Sequence, residues 1–344
     1  MSCLTVVELC DPRWADFVAR QSAATPFHHP EWAKLVANCY GFRGFAIAAS
    51  DTTGKIRAGL PVIEVRHLRG EPKWVSLPFT DYCAPLVPDP QQEADLVAAL
   101  QQASQAAGVR RVEIRGPLAG AAPLGATAYR HVISLQDCPE QVYARFRRTA
   151  RQQIRQAESN GVTVRQATRP EDLTEVFYRL HTRTRRRLGM PVQPRRFFRM
   201  LWDSVISTGL GLVLIAEASA RPVAAHVYLA WNGAMTAKFN ASDESAWPLR
   251  PNQLLFWHSI KTACEQGCHS FDFGRTDAGN EGLRAFKRSW GAAEEPLVYR
   301  ALGTGPEPAP SVNGMPRQLL GCVIRHGPVV LCRAVGEALY RYAA

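Results

Sequence analysis

Apolar and polar positions alternate at period two in a series of short segments, and runs with apolar residues three and four apart separate them, so the chain reads as strands interleaved with helices. Residues 4–9 predict a strand, and 11–20 and 31–38 predict helices. An antiparallel pair follows at 45–49 and 56–67, joined by the turn Asp51-Thr52-Thr53-Gly54. Then come strand 74–77, helix 91–107 and strands 111–115 and 129–135. The same order begins again with a helix over 140–160, which Gly161 can close in the left-handed conformation. Strand 162–166, helices 171–187 and 196–208, and strands 212–218 and 222–231 continue it. Asn232-Gly233 is a two-residue hairpin turn into strand 234–240, and helix 252–266 and strand 270–274 complete the repeat. The pattern predicts an α+β protein of two similar halves, 1–137 and 138–302, each a mostly antiparallel mixed sheet flanked by helices. Residues 303–344 are the remainder: the stretch Gly303 to Pro310 reads as a linker, and 319–342 as two short amphipathic helices broken at Gly327-Pro328.

The most informative stretch is FDFGRTDAGNEGLRAFKRSWG at 271–291. Phe271 and Phe273 flank Asp272 on a buried strand, Gly274 ends it, and Arg275 projects beyond its carboxyl end. Asn280 then caps a short helix expected to turn Leu283 and Phe286 inward, with Arg284, Lys287 and Arg288 on its other faces. A cation fixed at a strand end stabilises an oxyanion or a phosphate better than a mobile surface lysine does. Asp272 is expected to hold Arg275 or the local backbone. Its Asp-Phe-Gly context echoes a kinase metal motif, but the other kinase motifs are missing.

Charge changes the picture. The net charge is +11, and between 145 and 199 fifteen arginines, no lysines and four acids supply a balance of +11, so the rest of the chain is neutral. Arginine used alone favours phosphate recognition through the planar guanidinium fork. Arg148, Arg151 and Arg155 recur at helical spacing, and the partners open to them are tRNA, a polyprenyl-pyrophosphate lipid or an anionic membrane surface. With 344 residues, 46% hydrophobic, there is material for two cores. No apolar run approaches the ~20 residues of a membrane span, and the N-terminus lacks a signal-like start, so a cytoplasmic protein is expected. Nine scattered cysteines without C-x-x-C pairs suit that compartment. Cys264, Cys268 and His269 read as a buried helix face, His28-His29 as a packed turn, and no metal site is expected; HExxH, G-x-S-x-G and P-loop motifs are missing. Neighbouring cations are expected to depress the pKa of His181.

The run Gly282-Leu283-x-x-Phe286-Lys287-x-x-Trp290, preceded by Pro251 to Trp257 and the Asp-Phe-Gly strand, resembles the C-terminal signature of the Fem family of non-ribosomal aminoacyltransferases. The likeness extends upstream through Leu188 to Phe198, Leu77 to Tyr82 and Pro30 to Lys34, covering nearly all of 25–300. It is nearest the Fem-like group found with exopolysaccharide and protein-sorting gene sets in proteobacteria. The resemblance implies tandem GCN5-related acetyltransferase (GNAT) units and aminoacyl transfer from tRNA, with no cofactor. It places Lys34 at the position that holds the acceptor's phosphate and Lys287 at the one that stabilises the oxyanion or that phosphate. A family arginine is replaced by Gln193, and Arg115-Gly116 stands where the family has an acid, so the acceptor is expected to differ from the usual peptidoglycan precursor. In acyl-CoA enzymes of this fold the loop before the second-half helix carries glycines whose N–H groups wrap the pyrophosphate. Here Ser242 to Gln253 contains no glycine, two acids and two prolines, so acyl-CoA is the less favoured donor.

The expected chemistry is direct attack of an amine, from a cell-envelope or secondary-metabolite precursor, on an already activated aminoacyl ester. Lys287 and Arg275 stabilise charge; Asp81 and Tyr82 bind the nucleophilic amine. Lys34, Arg185, Arg186, Arg187, Arg195, Arg196 and Asn252 position the acceptor, and Arg148, Arg151 and Arg155 take the tRNA phosphates. Asn252 and Gln253 fit a helix cap equally well. Charge reversal at Lys287 is expected to abolish turnover with the fold intact. The alternatives are an N-acyltransferase using acyl-CoA or acyl carrier protein, and a noncatalytic RNA- or membrane-binding scaffold. The 319–342 tail is a candidate contact to the inner face of the membrane, with docking onto the protein's own core or a second subunit equally open.

Overall fold

Five strands and three helices open the first unit of the computed structural model, which describes residues 3–66, 71–303, 311–312 and 315–343. In chain order they are β1 (Cys3–Glu8), α1 (Pro12–Ala19), α2 (Pro30–Tyr40), β2 (Arg43–Ser50), β3 (Ile56–Val65), β4 (Lys73–Val75), α3 (Pro90–Ala106) and β5 (Arg111–Ile114). Each helix starts with proline in its first turn behind a side-chain cap: Asp11 accepts from the Arg13 N–H, His29 from Glu31 and Asp89 from Gln92. Pairing is antiparallel from β1 to β4 and parallel between β4 and β5. Leu96, Ala99, Leu100 and Ala103 form one stripe of α3 and pack on Phe45, Ile47, Leu60 and Trp74 of the sheet.

The chain then enters β6 (Ala122–Ser134) and the second unit. Its elements are α4 (Pro139–Ala144), α5 (Arg148–Ser159), β7 (Thr163–Gln166), α6 (Tyr178–Arg187), α7 (Arg195–Leu201), β8 (Gly211–Ala218), β9 (Arg221–Trp231), β10 (Ala234–Ser242), α8 (Pro251–Glu265), β11 (Ser270–Asp272), β12 (Thr276–Asp277), α9 (Glu281–Arg288), β13 (Ala293–Gly303), α10 (Arg317–His326) and α11 (Val329–Leu339). The order β7-β8-β9-β10 is antiparallel, β10 and β11 are parallel, and β11 pairs antiparallel with β6. Leu254, Leu255, Phe256, Ile260 and Ala263 of α8 share a core with Phe271, Phe273, Trp290 and Tyr228.

The units are Met1–Ala128 with Pro296–Asn313, and Tyr129–Glu295 with Gly314–Ala343, which differs from a division at 137 and 302. Strand exchange is the reason. Val132–Ser134 of β6 pair with β11, and Arg300–Gly303 of β13 pair with β5, so each half's sixth strand comes from chain beyond its own stretch. β13 was not foreseen from the sequence, although its alternation of buried Leu297, Tyr299 and Ala301 is a strand signal.

Two expectations change, and one of the alternatives left open for the tail is met. The helix over 140–160 is broken between α4 and α5, because Phe146 turns into the core against Trp257 and Trp290 while the Arg147 N–H bonds to the Ser289 carbonyl at 2.9 Å. Leu283 points outward, 37% exposed, and only Phe286 of the pair packs inward. The tail docks on its own unit: Leu320, Ile324, Cys332 and Tyr340 are buried, the Arg186 Nε donates to the Gly327 carbonyl at 2.8 Å, and Glu337 accepts from the Arg195 N–H at 3.1 Å. Position 67 of the third predicted strand, and 304–310 of the linker, lie outside the described residues.

Candidate active site

In the second unit the ladder between β10 and β11 runs only from Ala234–Ser270 to Thr236–Asp272. A bulge at Ala237–Phe239 then carries β10 onward in register with β9 alone, so the two parallel strands part at their carboxyl ends. Ligands of open sheets bind where neighbouring strands separate in this way. Past the end of β11, Gly274 adopts φ 74°, a left-handed conformation natural to glycine. The Asp272 carboxylate accepts from the Gly274 N–H at 2.7 Å, and so holds the local backbone, one of the two tasks expected of it.

Lys287 lies beneath this turn. Its side chain is buried, 4% exposed, and its ammonium donates to the carbonyls of Gly274 at 2.8 Å and Arg275 at 3.2 Å. The Arg275 guanidinium turns to Asp277 at 2.7 Å. Behind them Arg284 clamps Glu294 with two bonds, Nη2–Oε1 at 2.5 Å and Nε–Oε2 at 3.1 Å, and also donates to the Ala278 carbonyl at 3.1 Å. These bonds hold the Glu294 carboxyl down to about 2. Glu294 in turn accepts from His131 Nε2 at 3.1 Å, while His131 Nδ1 is buried with no partner among the described residues. Burial lowers the pKa of His131, and the positive charge of Lys287 lowers it further, so the imidazole is neutral. Thr276 Oγ1 is a second buried polar atom with no partner.

A buried network links β9 to the first turn of α8. His226 on β9 meets the Asn252 Oδ1 through Nε2 at 3.0 Å and the Tyr228 hydroxyl through Nδ1 at 2.9 Å. Burial drops its pKa to about 4, so it is neutral. Because Oδ1 only accepts, the proton is on Nε2, and Nδ1 accepts from Tyr228. The Asn252 NH₂ is therefore not used by His226. Asn252 is not the cap of α8; that position is Arg250, at φ 61°, and Gln253 bonds to Gln153 across to α5 at 3.3 Å. His131 and His226 were missed in the sequence. The available signal was an imidazole inside an otherwise apolar strand, at Arg130-His131-Val132-Ile133 and Ala225-His226-Val227.

Many arginines of the 145–199 segment are engaged within the unit. Arg183 pairs with Asp243, Arg187 with Glu244 and the Trp247 ring, and Arg196 with Glu337, while Arg195 lies over the Tyr178 ring and Arg185 donates to the Pro191 carbonyl. These side chains brace the 188–195 turn, the tail and the loop before α8. On α5, by contrast, Ala150, Ile154 and Ala157 face the core, and Arg148, Arg151 and Arg155 form no ion pair among the described residues. His181 is displaced to about 3, chiefly by burial, with Arg185 second, and its Nε2 bonds to the Gln193 Oε1 at 2.8 Å.

Lys34, Asp81 and Tyr82 belong to the first unit. Lys34 pairs with Glu31 at 2.8 Å. The loop holding Asp81 and Tyr82 follows two non-glycine residues in the left-handed region, Leu77 at φ 62° and Phe79 at φ 60°, a conformation that costs of order 1–3 kcal/mol at each. Four anchors hold it: Trp32 Nε1 to Thr80 Oγ1 at 2.9 Å, His28 Nε2 to the Ala84 carbonyl at 2.8 Å, the Ser76 hydroxyl to the Cys83 carbonyl at 3.1 Å, and the Tyr299 hydroxyl to the Asp81 carbonyl at 2.7 Å. His28 is thus a packed residue.

Residues 144–288 match the family described as acetyltransferase (GNAT) domain. The fold is that of a tandem GNAT protein of the Fem type. It is similar to the crystal structure of FemX, at 14% identity and a TM-score of 0.68, over 86% of this chain and 96% of that one. It is also similar to the C-terminal domain (DUF2156) of a putative lysylphosphatidylglycerol synthetase from Agrobacterium fabrum, at 15% identity and a TM-score of 0.55, over 86% and 91%. A tandem GNAT protein from the clavulanic acid biosynthesis pathway, solved without AcCoA, matches at 10% identity and a TM-score of 0.55, over 90% and 100%. No curated protein sequence matches the chain. Among the described residues no helix is long and apolar enough to cross a membrane.

Proposed function

We propose that this acyltransferase fold moves an aminoacyl group from aminoacyl-tRNA to an amine of a cell-envelope or secondary-metabolite precursor. The arginine face of α5 carries the reading, because Arg148, Arg151 and Arg155 share one helix and form no ion pair among the described residues, whereas Arg183, Arg187 and Arg196 of the same segment are matched by acids. A row of free forks suits a phosphate backbone. The loop before α8 supports a donor other than coenzyme A. Residues Glu244–Leu249 form a 3-10 helix, and Asp243 and Glu244 are tied to Arg183 and Arg187, so this loop is not a glycine nest for a pyrophosphate.

In the reaction the amine nitrogen attacks the ester carbonyl, the bond to the ribose oxygen breaks, and the amine's proton passes to that oxygen. No covalent enzyme intermediate is needed, and the protein supplies orientation and charge stabilisation. Lys287 sets the Gly274–Arg275 turn and places a positive charge under it. Arg275, paired with Asp277, would have to leave that carboxylate to reach the developing charge. The NH₂ of Asn252 donates to the acyl carbonyl. The test is transfer of label from a charged tRNA pool to an RNase-resistant product. Label moving from acetyl-CoA instead would favour the N-acyltransferase reading, and tRNA binding without transfer the scaffold.

A further inference from the structure

The tail is apolar on two faces. Leu320 and Ile324, one helical turn apart, fix the inner face of α10, and Gly321 abuts Gly189, where an added Cβ would lie 2.7 Å from the Gly321 carbonyl oxygen. On the outer face Leu319, Cys322 and Val323 follow the i, i+3, i+4 spacing and remain exposed, Leu319 by 54% and Val323 by 42%. Past the Gly327-Pro328 break, Val330 is 71% exposed, and Leu188, next to the Gly189 that touches α10, is 51% exposed. A docked surface helix normally turns polar residues to water.

Charge identifies what covers this stripe. From 308 to 344 the chain has one acid, Glu337, against Arg317, Arg325, Arg333 and Arg341. Glu337 is engaged by the Arg195 N–H and the Arg196 guanidinium, and among the described residues no carboxylate pairs with the exposed Arg325 and Arg341. Short apolar side chains rimmed by unneutralised arginines suit the boundary between anionic headgroups and acyl chains, where the apolar groups insert and the guanidiniums reach phosphates. A second copy of this chain would bring the same cations into opposition. Four or five exposed apolar side chains also fall short of the ~800 Å² per partner of a stable protein interface.

The structure assigns the outer face of α10 and the start of α11, through Leu319, Val323, Val330 and Arg325, to docking on an anionic lipid surface. This holds whichever donor the acyltransferase unit uses. The experiment is co-sedimentation of the full chain with phosphatidylglycerol vesicles and with phosphatidylcholine vesicles, alongside light scattering of the protein alone. Binding to the phosphatidylglycerol vesicles at least tenfold tighter is expected. Val323→Glu with Val330→Glu should lose at least tenfold of it with thermal unfolding unchanged, and Arg325→Glu should weaken it and flatten its salt dependence. Equal binding to both vesicle types, or undiminished binding by the double variant, overturns the assignment. A dimer in solution that the double variant splits overturns it too, in favour of a second copy.

Discussion

Lowering the pH from 7 to 5 should destabilise the second unit about twice as much as the first. Burial holds His226 near 4 and His181 near 3 in the second unit, and His28 near 4 in the first. Each has an ordinary value of 6.5 in the unfolded chain. For a histidine whose folded pKa is depressed, the unfolded state takes up the proton first, so stability is full above the unfolded pKa and declines as pH falls below it, until the folded pKa is reached. Between pH 7 and 5 each such group removes about 2 kcal/mol, hence about 4 kcal/mol from the second unit and about 2 from the first. His131, His258 and His29 are shifted in the same direction and add to the loss. The depressed carboxyls at Glu294 and Asp51, both near 2, do not oppose it, since their contribution is lost only as pH falls from the ordinary carboxylate range toward 2. Hydrogen exchange of α8 and α6 amides, compared with α2 and α3 amides at the two pH values, reads the units separately. His226→Gln should cut the pH-dependent loss of the second unit by roughly half, whatever it does to stability at pH 7. Equal protection at pH 7 and 5, or an unchanged loss in His226→Gln, would refute the reasoning.

Other perturbations have equally definite outcomes. Lys287→Met should leave the Gly274 and Arg275 carbonyls unpaired, at about 1–3 kcal/mol each, and remove turnover in protein that still melts cooperatively. Lys287→Glu buries a carboxylate against those same carbonyls, with a further ~3–5 kcal/mol at stake, so calorimetry should find it largely unfolded, against the sequence-based expectation of an intact fold. Arg148→Ala with Arg155→Ala should lower the slope of log affinity for tRNA against log salt by about 0.7–0.9 per lost contact, and an unchanged slope would remove α5 from the phosphate path. Gly336→Val sets a side chain against the Val192 carbonyl, so limited proteolysis should cut the tail of this variant faster than that of the wild type.

Much of this fold was legible because each half repeats one order of period-two and period-3.6 segments. The glycine stop at 274, the Asn280 cap, which accepts from the Leu283 N–H at 3.1 Å, and the free arginine face of α5 all follow from local spacing. What spacing did not show depends on long-range packing. Phe146 breaks a helix because Trp257 and Trp290 receive it, and β13 pairs with β5 from nearly two hundred residues away. Charge alone could not separate Arg187, matched to Glu244, from Arg148, which has no matching acid among the described residues. Nor does a lone histidine in a strand reveal that Glu294 or Asn252 will meet it.

The central claim is tested most directly by supplying purified full-length protein with two donors in parallel, a tRNA pool charged with labelled amino acids and labelled acetyl-CoA, together with a cell extract as the source of acceptor. Label is expected to leave the tRNA for an RNase-resistant product, at a rate that falls in Arg148→Ala with Arg155→Ala and in Lys287→Met. Label arriving from acetyl-CoA while the charged tRNA stays intact would contradict that claim.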